Sequence, residues 1–445
     1  MNKEGSFTDK FVVFTAKLGN QIHLRSLRDA FAIVMPLFIL GGLGTLCNNV
    51  IFPFIAKGDG LKKLQTFGNL ISNGTLNASS VLLCAMLGYM LAKNKKYINP
   101  IAASVVSLST FLVTLPMTVK APLVDSTESV LVKSVFSYSS IGSQSLFVGL
   151  IMGILATEVF IRLTSIEKLK INLGDSVPPM VGQAFTSLLP TIFTISIFAI
   201  ISAILIVFAK SDLSTLLVKF IQEPLRSINT SLLGFLFIYS LGNFMFTLGI
   251  HQNVINGSLL KPFLLQNINE NTLAFQSGQM APHIITEEFK QVFAQVGGTG
   301  MTLALLIAIL IFSKSKASKD LAKISILPGL FEINEPVIFG FPIVFNIPMM
   351  IPFVTIPIIN VLIAYVITVA GLMSHTVILA PWSTPPIINA WLATAGDWRA
   401  VVVQILLLVL DVFIYIPFLK MSERANKLQR ELEQENLVDT KENLG

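Results

Sequence analysis

Charge is scarce in this sequence. Asp, Glu, Lys and Arg make up 13% of it, about half the share expected of a soluble globular chain. Cysteine is scarcer still: Cys47 and Cys84 are the two present, both inside apolar runs, which indicates neither a disulfide framework nor a thiolate metal cluster. They read as small buried hydrophobes. No His, Cys and Asp set has metal-ligand spacing, no Walker A lysine motif occurs, and no nucleophile elbow is present. A bound metal, a nucleotide hydrolysed by this chain and an acyl-enzyme chemistry are therefore all unexpected, and no cofactor is called for. The first 27 residues are polar and hold no compact apolar stretch followed by a small-residue cleavage site, so targeting falls to the first membrane helix. A net charge of +6 would suit nucleic acid, but the basic residues lie in short clusters between apolar runs, as charges flanking membrane segments do. No nucleic-acid partner is expected.

What the sequence has in abundance is apolar length. Hydrophobic residues make up 53% and the mean hydropathy is +0.74, the composition of an integral membrane protein in contact with a lipid bilayer. A helix needs about 20 apolar residues to span the hydrocarbon core. Segments of that kind run over 30–55, 76–92, 98–119, 141–164, 180–208, 231–250, 299–313, 346–373 and 399–419. With Lys17, Arg25 and Arg28 on the cytoplasmic side, the chain returns there at Lys93, Lys95 and Lys96, and again at Arg162, Lys168 and Lys170. For Lys314, Lys316, Lys319 and Lys323 to lie there too, one more crossing is needed, and 251–268 is the candidate. The expected fold class is an all-α polytopic membrane protein of about ten transmembrane helices, multi-pass, with both termini cytoplasmic.

Two further stretches are apolar but broken: 324–345 by Pro328-Gly329, Pro336, Gly340 and Pro342, and 375–392 by Pro381 and Pro385-Pro386. Both are expected as re-entrant hairpins buried in protein. Residues 211–228 place Leu213, Leu216, Leu217, Phe220 and Ile221 opposite Asp212, Lys219, Gln222 and Glu223, the pattern of an amphipathic interfacial helix. The expected organisation is a cytoplasmic segment 1–28, a five-helix scaffold 29–210 poor in intramembrane polar groups, the linker helix 211–228, a polar-rich transport domain 229–420 and a cytoplasmic tail 421–445. The tail mixes charges and is expected to fray.

Phe331-Glu332-Ile333-Asn334-Glu335-Pro336 sets two carboxylates and a proline inside apolar sequence with no nearby base. An intramembrane carboxylate is costly and so usually functional, and the residue before a proline is biased away from the helix. Glu335 is the candidate to accept hydrogen bonds from substrate hydroxyls, or to act as general base; a helix-end cap or a structural ion pair would use the same residue. Glu332, three residues earlier, reads as a supporting group. His251 stands in a dense polar patch with Gln252, Asn253 and Asn256, amides that suit a multidentate sugar lining. Gly297-Gly298-Thr299-Gly300 opens the 299–313 segment, where glycines allow close backbone approach and helix-start amides can hold a hydroxyl or phosphoryl oxygen. Trp382 lies in the second broken segment, where an indole serves equally to cover a sugar ring or to anchor the interface. His23, His283, His375, Trp391 and Trp398 read as loop or interfacial residues.

Gly249-Ile250-His251-Gln252-Asn253, followed about 80 residues later by Asn334-Glu335-Pro336-Val337-Ile338-Phe339-Gly340, resembles the membrane IIC component of the phosphoenolpyruvate-dependent phosphotransferase system. The branch it resembles is the lactose and cellobiose group, of the diacetylchitobiose or cellobiose permease kind, and the likeness covers essentially the whole chain. It implies group translocation of a disaccharide. A IIB protein, phosphorylated on its own cysteine with IIA upstream, transfers the phosphoryl group to the sugar 6-hydroxyl. It also implies that His251 and Glu335 stand at that hydroxyl, that Asn334 shapes the loop, that Trp382 lies beside a ring, and that the protein is a homodimer of the cell membrane built on its N-terminal half. Gln252, Asn253 and Gly298 complete the expected sugar-binding set. The alternative is an ion-coupled secondary sugar symporter with Glu335 or Asp411 as coupling carboxylate.

Overall fold

The protein is described from a computed structural model. It describes the backbone of residues 21–122, 129–171, 178–249, 251–341, 343–344 and 346–442; most of the expected segment 1–28 lies outside the described residues, as do the side chains of Glu335, Phe339 and everything beyond 424. α1 (Ile22–Leu46) is capped by Gln21, whose side chain accepts from Leu24 N at 2.8 Å, and continues through a π turn at Cys47–Ile51. α2 (Gly58–Gly74) and α3 (Ser79–Asn94) follow, then α4 (Pro100–Val113), which starts on an Asn99 cap with proline in its first turn. An antiparallel hairpin joins β1 (Thr118–Pro122) to β2 (Ser129–Lys133), with Thr118 opposite Lys133. α5 (Leu146–Thr164) and α6 (Pro179–Ile204) come next, then α7 (Leu213–Leu217) and α8 (Glu223–Asn229) run on through a π turn. Beyond them lie α9 (Leu232–Thr247), α10 (Lys261–Gln276), α11 (Glu287–Ala294), α12 (Thr302–Phe312), α13 (Lys316–Leu330), α14 (Glu335–Gly340), α15 (Ile347–Val369), α16 (Ile388–Ala393) and α17 (Trp398–Glu442).

The all-α membrane class holds, but the count of about ten crossings is not reproduced. Among the described residues, 6 helical stretches are long and apolar enough to cross a membrane: Ile22–Ile55, Gly58–Asn94, Leu146–Thr164, Val181–Ala209, Ile347–Val369 and Trp398–Arg424. The stretch Leu213–Asn229 with α9 makes a seventh if that pair, bent by 72°, is one broken span. The expected crossings 98–119 and 299–313 shrink to helices of 14 and 11 residues, because the apolar window ran on into a β-strand in one case and began in a glycine turn in the other. At 1.5 Å per residue they reach about 21 and 17 Å, short of a hydrocarbon core of about 30 Å. The expected crossing 251–268 is not one helix: short turns at Gln252–Val254 and Asn256–Leu259 precede α10, whose Gln266, Asn267, Asn269 and Asn271 are all buried.

Contacts divide the described chain into two compact units, 21–231 with 257–282, and 232–256 with 283–442. The first packs Cys84, Phe111, Val148, Met152 and Phe198 in a core between α3, α4, α5 and α6. Small residues let these helices approach; a Cβ added to Gly149 of α5 would lie 2.7 Å from the carbonyl oxygen of Ser80 in α3. The stretch 213–229 is part of this unit, with Leu213, Leu217 and Val218 packed against its core and Lys219 and Glu223 exposed. Gln222 and Arg226 turn inward, where Gln222 Nε2 donates to Gln144 O at 2.7 Å and Arg226 holds Glu270 of α10, while Phe220, Ile221 and Ile228 face out. A partner for each buried polar group outweighs apolar area that lipid can take up at no cost. In the second unit the core surrounds α12, with Leu303, Leu305, Leu306, Val337, Ile338, Met349, Phe353, Tyr415 and Leu419 packed together.

Candidate functional site

The second unit brings the glycine turn and the broken segment together. Residues 297–301 pass through left-handed backbone, with φ of +75°, +95° and +81° at Gly297, Gly298 and Gly300 and +58° at Met301. A Cβ on Gly298 would lie 2.5 Å from Asn334 Cγ, and one on Gly300 2.2 Å from the Phe353 ring, so both positions need glycine for space as well as for φ. Across from the turn, the chain leaves α13 at Leu330 and passes through Glu332, itself left-handed at φ +66°. The Gly298 amide donates to Glu332 Oε2 at 2.8 Å and Asn334 Nδ2 donates to Thr299 O at 2.9 Å. Tyr415 of α17 and Thr302 of α12 donate their hydroxyls to Gly300 O and Gly297 O.

Every member of this knot is buried. Glu332 lies outside the spanning segments, and burial pushes its carboxyl up to about 8 against the Gly298 and Gly297 amides, which favour the charged form. The turn engages Oε2 of Glu332. Asn334 closes the break and is followed by α14, with Glu335 and Pro336 in its first turn. The Glu335 side chain lies outside the described residues.

His251 forms a second cluster. Its Nδ1 accepts from Asn253 N at 3.2 Å, which places the proton of the neutral ring on Nε2. The imidazole packs on Phe246 at 4.8 Å between ring centroids, and Phe246 meets Phe353 edge-on at 6.1 Å. Phe353 is the ring that lies against Gly300, so a chain of aromatic contacts joins the histidine patch to the glycine turn. Gln252 is buried, donates to Asn253 Oδ1 at 3.1 Å and accepts from Asn256 Nδ2 at 2.8 Å. Gln252 and Asn256 thus hold the loop, while His251 and Asn253 are exposed.

Trp382 is 58% exposed, and its backbone is fixed by α11, where Gln291 Nε2 donates to Trp382 O at 3.1 Å. Two residues before it, Ala380 N donates to the buried Glu288 Oε1 at 3.2 Å. Val377 and Ile378 donate to Ala393 O at 2.7 and 3.1 Å, so 375–392 does turn back on itself. Glu287, Glu288, Lys290 and Gln291 were missed by the reading from sequence, because they fall between apolar windows. Burial pushes the Glu288 carboxyl well above its usual range, and neighbouring Glu287 pushes in the same direction; Glu332 also lies near enough to act on it. The signal that would have found them is Thr286 before two glutamates, a helix cap with acidic residues in the first turn.

Comparison with known proteins adds to this geometry. The family model for "Phosphotransferase system, EIIC" matches residues 28–357. The chain is 31% identical over 428 residues to the oligo-beta-mannoside-specific EIIC component of Bacillus subtilis (strain 168), covering 95% of this chain and 94% of that one. It is 29% identical over 494 residues to the cellobiose-specific EIIC component of Lactococcus lactis subsp. lactis (strain IL1403), covering 96% and 99%. Among solved structures it is similar to the transporter ChbC, the IIC component from the N,N'-diacetylchitobiose-specific phosphotransferase system, with a TM-score of 0.88 and 31% identity over 96% of this chain and 99% of the other.

Proposed function

Because this chain belongs to the phosphotransferase system EIIC family, we propose that it carries a β-linked disaccharide, of the cellobiose or diacetylchitobiose kind, and presents the 6-hydroxyl to a phosphorylated IIB protein. The sugar class follows the names of its relatives for cellobiose, oligo-β-mannoside and diacetylchitobiose. The observation that carries the site is the pair of hydrogen bonds from Gly298 to Glu332 and from Asn334 to Thr299, which lock the glycine turn against the step at which Glu335 enters α14. Glu335 and His251 stand at the reacting hydroxyl, with Asn253, Gln252 and Asn334 shaping the lining, Gly298 giving close backbone approach and Trp382 covering a ring.

The step itself needs orientation and a place for one proton. The bond between phosphorus and the IIB cysteine breaks, the bond to the sugar oxygen forms, and the hydroxyl proton passes to the Glu335 carboxylate or to the imidazole. His251, protonated on Nε2 by its Asn253 contact, serves first as a donor to a sugar oxygen. IIA recharges IIB. Both termini lie in the cytoplasm with the basic ends of the helices, and two copies associate through the unit containing 21–231.

Uptake of labelled cellobiose, diacetylchitobiose and lactose into vesicles, with and without phosphorylated IIB, tests the reading. Sugar phosphate should accumulate only with the partner. Glu335→Gln or His251→Ala should each cut phosphorylation by about a hundredfold or more while the protein stays folded. Wild-type turnover in both variants would remove them from the site, and unmodified sugar accumulating on an ion gradient would remove group translocation.

A further inference from the structure

Asp411 has no exposed surface and lies midway along the apolar part of α17. Its Oδ2 accepts from Asn360 Nδ2 of α15 at 2.8 Å. The other oxygen of each side chain, Asp411 Oδ1 and Asn360 Oδ1, is buried without a hydrogen-bond partner. With the acid ionised both are acceptors, and neither can satisfy the other. One proton resolves this. Placed on Asp411 Oδ1 it makes a donor for the amide carbonyl, and acid and amide each then donate once and accept once.

Among the described residues, the helices packed against α17 offer no unpaired charge to balance an anion. Of the helices packed against α17, α12, α15 and α16 contain no Asp, Glu, Lys, Arg or His. The fourth, α11, carries Glu287, Glu288 and Lys290, and Lys290 is paired with Glu287 at 2.7 Å. On α17 itself the nearest bases in sequence are Lys420 and Arg399, about 13 and 18 Å away along the axis. Arg399 holds Asp397 at 2.9 Å. Tyr415, one turn from Asp411, gives its hydroxyl to Gly300 O. An isolated ion buried this way is among the most costly groups a protein can hold, and neutralisation is the usual outcome.

We propose that Asp411 and Asn360 form a proton-binding site in the transport unit, a neutral carboxylic acid paired face to face with a primary amide. The proton is held rather than transported. The pair latches α15 to α17, and these are the helices that place Phe353 and Tyr415 on Gly300. Asp411 and Asn360 are therefore positioning residues for the glycine turn.

Infrared difference spectra of the full chain in lipid vesicles, wild type against D411N, test this at neutral pH. The expected result is a carbonyl stretch of a protonated acid in the wild type, lost in D411N and shifted to higher frequency in N360L, where the acid loses its amide partner. D411N, able to form the same two bonds, keeps sugar phosphorylation near the wild-type rate, whereas D411A loses about tenfold or more. An ionised carboxylate in the wild type, a carboxylate signal that moves with added sodium, or a folded D411N without activity would each overturn the proposal. If D411N fails to fold, the N360L spectrum decides alone: an acid band unmoved from the wild-type position also overturns it.

Discussion

In the unit built from 21–231 and 257–282, many buried polar groups are hydroxyls folded back on their own helix, as Thr110 is on Val106 O at 2.7 Å and Thr45 on Gly41 O at 3.1 Å. In the unit built from 232–256 and 283–442 they are carboxylates and amides reaching across elements. Glu332 meets Gly298, Glu288 meets Ala380, Gln404 donates to Val292 O and Asn389 Oδ1, and Asn360 meets Asp411. Left-handed non-glycine residues of the first unit, Lys96, Ser134 and Lys210, sit at chain reversals with their side chains at least partly exposed; of those in the second, Ile387 and Ala395 are also at least partly exposed, while Met301 and Glu332 are buried beside the glycine turn. Each such residue costs about 1–3 kcal/mol and persists only where its surroundings over-determine it. The first unit is a packing solution of low cost. The second spends stability on fixing the glycine turn.

The contrast can be broken most strongly at Gly300. Gly300→Val drives a side chain into the Phe353 ring at a φ that disfavours it, and should abolish sugar phosphorylation, whereas Gly74→Ala, in open space at the end of α2, should leave both activity and thermal midpoint unchanged. One of the exceptions to the division is Arg226, whose guanidinium holds Glu270 through bonds of 3.1 and 2.6 Å. Arg226→Met should cost about 3–5 kcal/mol by taking the guanidinium away from that carboxylate. Thermal unfolding in detergent measures it, and the double variant Arg226→Met with Glu270→Leu should recover most of the loss. Gly149→Ala, which forces α5 off Ser80, should cost about 1–3 kcal/mol of stability in the first unit, with the activity per folded molecule retained.

The last effect is a slope against pH. The Glu332 carboxyl titrates at about 8 in the folded protein because burial raises it, against about 4.3 in an unfolded chain. The native state therefore keeps a proton that the unfolded state has released, and the stability this confers, full at acidic pH, declines as the pH rises from about 4.5 to about 8. Glu332→Gln, which keeps an acceptor for Gly298 and cannot ionise, should flatten that part of the curve of thermal midpoint against pH. The same slope in wild type and variant would show that Glu332 is not the group responsible.

Apolar runs and the scarcity of charge were enough to establish a helical membrane protein. The isolated carboxylates at 332 and 335, and the histidine patch at 251, were enough to single out candidate residues, because an unbalanced polar group in apolar sequence stands out in one dimension. Helix limits were less legible. α2 falls between the apolar windows because an amphipathic helix has low mean hydropathy, and the β1–β2 pair hid behind an apolar window that did not stop at Val113. The inward turn of Gln222 and Arg226 was not legible, since they find partners 78 and 44 residues away that no local pattern reveals. Glu288 and Gln291 became part of the site only when the fold laid α11 against 380–382. Composition and periodicity report what each segment needs to bury, and so they decide class and candidate chemistry. Which polar group satisfies which is a matter of long-range pairing, and that was decided only when the chain closed on itself.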